Sequence, residues 1–179
     1  MASTSPAHIW LMRAAFPSLA LLYIFFHLLP LDTVPRQWAP PDLLLAMAMA
    51  WSLRRPDYVP TVLLAVTLLL ADLMFQRPPG LMALFVLLGC EYLKPRALTH
   101  RDTGFVAEWI SVSLVLTAII VLNRLALSLV GVLQAPLGLI LIQMLLTIAA
   151  YPLVVFASQS ILGVRRMTSA ELETLGIRL

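Results

Sequence analysis

The side chains in this chain that could do chemistry are few, and they stand apart. Two carboxylates interrupt apolar runs: Asp42 in APPDLLLAMAMAWSL and Asp72 in LLLADLMFQRPPGLMAL. Paired carboxylates can serve as general acid and base when they share a site, but the sequence assembles no acid–base pair at one depth. The three histidines, His8, His27 and His100, are dispersed. The single cysteine, Cys90, excludes an internal disulfide and a multi-cysteine metal site, and reads as a small buried hydrophobe. GxSxG, HExxH and phosphate-loop patterns are missing, as are cysteine clusters. The expectation is a protein that is not an enzyme and carries no cofactor or metal.

The elements that position these residues follow from composition. The 179 residues are 61% hydrophobic and 12% charged, against about 25% charged in soluble domains. A core of this size cannot hide so much apolar surface from water, so the bilayer is the solvent. Prolines divide the chain into six apolar segments, at about residues 14–31, 41–53, 58–75, 80–93, 105–133 and 136–163. A full span needs about 20 residues. Segments two and four are shorter, so they cross a thinned bilayer or pack inside the bundle. Pro17 and Pro152 fall within segments one and six and predict kinks. The expected organisation is one polytopic membrane domain, residues 1–163, with a short cytoplasmic tail, residues 164–179. In that tail TSAELETL offers a capping box from Thr168 to Glu171. The apolar run after Arg13 lacks a small-x-small cleavage site and reads as a retained first span.

Cation placement sets the orientation. With the N-terminus inside, the inner regions hold nine cations: Arg13, Arg54, Arg55, Lys94, Arg96, Arg101, Arg165, Arg166 and Arg178. The outer loops hold two, Arg36 and Arg77, and Arg124 lies within segment five. The formal charge of +3 is therefore a topology signal and not a nucleic-acid one. Both termini are expected in the cytoplasm. Trp10, Trp38, Trp51, Trp109, Tyr58 and Tyr92 lie near segment ends, where amphipathic rings prefer the interface.

Depth then assigns roles. Asp42, Asp72, Arg77 and Arg124 fall on the outer side, where a carboxylate in hydrocarbon must be paired or watered. Asp42 follows two prolines at a helix start and suits the exposed amides there. Asp72 either reaches water or Arg77, or pins helices together through Arg77, Arg124 or the start of segment two, or contacts a partner. Arg124 reaches toward the surface or joins that pin. Glu91 pairs with Lys94 three residues on, or with Arg54 or Arg55. Ala46 and Ala50, one turn apart, allow close helix approach, either within the bundle or as a docking face. Gln143 and Thr147 are the deepest polar pair and suit interhelical hydrogen bonding.

The order of motifs over residues 39–93 resembles the rod shape-determining protein MreD family. A Pro-Asp pair opens an apolar segment (Pro41-Asp42), followed by an aromatic (Trp51) and an Arg-Pro turn (Arg55-Pro56). A long segment then ends in Asp72, and a Pro-Gly turn (Pro79-Gly80) leads into a short segment. The resemblance implies an all-α integral membrane bundle, similar in fold to the membrane substrate-binding subunits of vitamin transporters, in the bacterial inner membrane. It also implies a non-enzymatic role in cell elongation. The implied partner is the single-pass protein MreC. Through it the chain would act on the actin-like MreB filament and on peptidoglycan synthesis by RodA and its penicillin-binding partner. Asp42, Ala46, Ala50, Asp72, Arg77, Gly80, Glu91 and Arg124 are the structural or partner-contact candidates. The alternative is a substrate-binding membrane subunit of a small-molecule, vitamin-type transporter.

Overall fold

The computed structural model describes residues 6–29, 39–99, 104–132 and 134–165. These are helical, and no strand occurs among them. The order is α1 (Pro6–Leu28), α2 (Leu43–Arg54), α3 (Thr61–Met74), α4 (Leu81–Leu93), the single turn α5 (Arg96–Thr99), α6 (Phe105–Leu129) and α7 (Leu137–Leu162). The six apolar segments thus become six helices. The capping box at Thr168, together with Arg36, Trp38 and His100, lies outside the described residues.

Local chemistry fixes the ends. Pro6 suits a first helical position, where its missing amide costs nothing, so α1 begins eight residues before the expected Ala14. Arg55 precedes Pro56, whose ring disfavours helical backbone before it, and Arg55 adopts φ −145°, ending α2. The α3–α4 turn contains two left-handed residues, Gln76 at φ 54° and Gly80 at φ 85°. Gly80 accepts that geometry without a Cβ penalty and sits as the N-cap of α4. Pro17 and Pro152 lie inside continuous helices.

Side-chain contacts show that the six helices, the single turn α5 apart, run in alternate directions. Arg13 meets the Asp57 carbonyl, Arg54 meets Glu108, and Arg55 meets the Arg165 carbonyl, all at one end. Tyr23, Asp42, Arg77 and Thr147 meet at the other. We refer to these as the Arg54 end and the Asp72 end.

The short helix α2 is central. Apart from Leu43 and Met47 it is buried all round, with Ala46, Ala48, Met49, Ala50 and Trp51 fully inaccessible. It therefore needs no span of its own. Trp51 and Tyr58, expected at the interface, are core residues instead, packed with Phe16. The Trp51 indole donates to Ser158 Oγ (3.2 Å), which satisfies its one polar atom inside the bundle. Cys90 is likewise fully buried. At Gly89, α4 approaches α6 so closely that a Cβ would lie 2.6 Å from Ile119 Cδ1.

Outside this core the surface is apolar. Helices α1, α6 and α7 are each long and apolar enough to cross a membrane. Their outward residues include Trp10, Phe25, Leu114, Leu129, Leu153 and Phe156. A contiguous apolar surface of this extent is not sustained in water, and the chain reads as a membrane protein.

Candidate functional site: the Asp72 end

Helix lengths create the site. Thr147 of α7 lies beside the start of α2, because its hydroxyl accepts from the Asp42 amide (2.9 Å). The stretch of α7 from Leu137 to Thr147 therefore runs beyond α2, by about 15 Å at helical rise. Long α6 and α7 on one side, with short α2 and α4 on the other, leave a cleft over the α2 N-terminus. Its volume is about 380 Å³, and Asp42, Arg77, Asn123, Arg124, Gln134, Gln143 and Thr147 line its polar part. Its apolar part includes Leu45, Leu81, Met82, Ile120, Leu127 and Ile140.

Asp42 is committed on both oxygens. Oδ1 accepts from the Leu45 amide (3.1 Å) and caps α2. Oδ2 faces Arg77 Nη1 at 3.7 Å. That distance is an ion contact and not a hydrogen bond. The Arg77 guanidinium also lies over the Phe75 ring, 5.0 Å from its centre. His27 and Tyr23 pack edge-on against the same ring, tying α1 to the turn.

Asp72 does something the sequence reading did not anticipate. Its Oδ2 accepts from the Gly80 amide (3.1 Å) and the Ala83 amide (2.9 Å). It caps α4 from the end of the preceding helix. The first amides of a helix have no intrahelical partner, and the left-handed Gly80 turns its N–H back toward α3. The expected pin is corrected in its contacts: among the described residues neither the Arg77 nor the Arg124 side chain hydrogen-bonds Asp72, and Arg77 donates its backbone N–H to the Asp72 carbonyl (3.1 Å). Arg124 instead donates to the Ala135 carbonyl (3.3 Å), and Gln134 closes the loop by donating to the Arg124 carbonyl (3.1 Å). Asp72 is 3% exposed, and its Oδ2 is held by two amides of its own chain.

Other candidates resolve simply. Glu91 pairs with Lys94 (2.6 Å) and accepts from Thr61 Oγ1 (2.7 Å), so Arg54 and Arg55 are not its partners. Ala46 and Ala50 pack against this chain's own helices and leave no face for another. Thr147 does join helices, donating to the Gln143 carbonyl (2.7 Å) while receiving the Asp42 amide. The Gln143 side chain lines the cleft.

At the Arg54 end the structure shows a centre that sequence reasoning missed. Arg54 grips Glu108 with two bonds, Nε–Oε1 at 2.8 Å and Nη2–Oε2 at 3.1 Å, and Tyr151 donates to Oε1 at 2.7 Å. All three are at most 4% exposed. The available signal was position: Glu108 is in the first turn of segment five, at the depth where segment two ends. Among the described residues no group of three His, Cys, Asp or Glu side chains could hold a metal. No protein-family model, curated protein or solved structure matches this chain.

Proposed function

We propose that this chain is a non-enzymatic membrane scaffold of the bacterial cell-elongation machinery, of the MreD type, which docks the single-pass protein MreC. In this reading it lies in the inner membrane with six segments and both termini inside, the Asp72 end facing outward. It links MreC, and through it MreB and the peptidoglycan synthases RodA and its penicillin-binding partner, to lateral wall growth. The observation that carries the reading is spatial. Of the residues of the resemblance, Pro41-Asp42, Asp72 and Pro79-Gly80 meet in one end of the bundle, where Arg77 faces Asp42, while Trp51 lies in the core and Arg55-Pro56 at the other end. Those that meet are spent on shaping their end, which is what a docking surface requires and a catalytic site does not. With α2 enclosed, the partner helix is left the outward ends of α2 to α4 and the apolar faces of α3 and α4. Depletion of the protein from rod-shaped cells is expected to make them round, and rods of unchanged width would contradict the reading.

One observation favours a second reading, the substrate-binding subunit of a small-molecule transporter. The cleft has the size of small-ligand pockets, about 300–1,000 Å³, and the few convergent polar groups that they use. Substrate-dependent uptake into cells, lost on deletion while rod shape persists, is the result that would place this reading first.

A further inference from the structure

We infer that the cleft at the Asp72 end is a binding site for an anionic phosphate ester carrying an apolar chain. The inference shares its site with the transporter reading but needs no transport, and it does not depend on the cell-elongation reading.

Charge comes first. The cleft is lined by two guanidiniums, Arg77 and Arg124, and one carboxylate, Asp42. With Asp42 set against one of the two arginines, the lining keeps a net positive charge to offer a ligand. Donors come second. A guanidinium carries five N–H donors and no acceptor. Arg124 spends one on the Ala135 carbonyl, and the Arg77 guanidinium makes an ion contact but no hydrogen bond among the described residues. Most of the fork of each arginine thus remains to meet a planar or tetrahedral oxyanion, the geometry that arginine binds best. Asn123 and Gln143 add amide groups from the facing helices α6 and α7.

The other half of the cleft selects against a simple ion. Leu81, Ile120, Leu127 and Ile140 line it, and they belong to helices whose outer faces are lipid-like. A phosphate ester held at the arginines would lay its apolar chain along these residues. The amphiphile comes either from the bilayer, as a phospholipid headgroup with its chains, or from water, as a short phosphate ester.

Purification of the full-length chain into nanodiscs of phosphatidylcholine with a minor share of phosphatidylglycerol tests this. Native mass spectrometry should find phosphatidylglycerol retained on the protein above its share in the disc. Arg124→Gln, which gives up a single backbone contact and keeps the fold, should lower the retained fraction about tenfold, the effect of one charge-assisted hydrogen bond. Arg96→Gln, at the other end and exposed, should not change it. Displacement of the lipid by glycerol phosphate added in water would assign the water-borne source, and its failure to compete would assign the bilayer. Retention equal in Arg124→Gln and the parent would overturn the proposal. So would the absence of phosphatidylglycerol enrichment on the parent protein.

Discussion

The two ends of the bundle use the same residue types to opposite effect. At the Arg54 end an arginine and a glutamate are fully enclosed, joined by two hydrogen bonds and held by a tyrosine. At the Asp72 end the arginine and aspartate stand 3.7 Å apart and partly open, and the second aspartate serves backbone amides. The difference follows from helix length. At the Arg54 end, α2, α6 and α7 finish near one another and seal. At the Asp72 end, α7 overshoots α2 and a cleft remains. The closed end is built to stay fixed, and the open end leaves donors unspent. Arg54 Nη1, buried without a hydrogen-bond partner among the described residues, shows that even the sealed end tolerates a local cost to keep its pair.

The largest expected effect lies at the sealed end. Glu108→Ala leaves Arg54 charged, buried and unpaired, and should lower stability by about 3–5 kcal/mol, read as the unfolding midpoint in detergent. Next is Gly89→Leu. Its side chain would enter space held by Ile119 and Val115, and overpacking of this kind costs about 1–3 kcal/mol. A thermal midpoint equal to the parent would show that α4 and α6 are not held that close.

Asp72→Ala should cost about 1–2 kcal/mol, the loss of a helix cap, and less than Glu108→Ala. Asp72→Asn sharpens the point. Both amides converge on a single oxygen, which asparagine retains, so it should recover most of the stability. A charge-dependent role would make Asn as damaging as Ala. Arg77→Gln is expected to be smallest, at about 0–1 kcal/mol, because a long, partly exposed ion contact is weak. An effect matching that of Glu108→Ala would break the distinction between the two ends.

Much of this was legible in the sequence. Proline and glycine marked nearly every helix end, and hydropathy marked the six segments. Asp42 read correctly as a helix cap, because the signal is local: two prolines, an acid, then apolar helix formers. Asp72 did not, because its partners lie eight and eleven residues on, across a turn whose left-handed Gly80 decides where the amides point. Glu108 escaped because a buried ion pair joins segments fifty-four residues apart and leaves no periodicity in either. The cleft escaped for a related reason. It arises from the register of α2 against α7, fixed by Thr147 and Asp42, and register between helices is not written along either one.

The scaffold reading is tested most directly by photo-crosslinking in living cells. A photoreactive residue would replace Val66 or Leu73 on the exposed face of α3, and Leu84, Leu88 or Tyr92 on that of α4. The account predicts crosslinks to one single-pass protein at the four-residue spacing of Leu84, Leu88 and Tyr92, strongest toward the Asp72 end. Crosslinks to lipid alone from every position, in cells that depend on the protein for their shape, would contradict it.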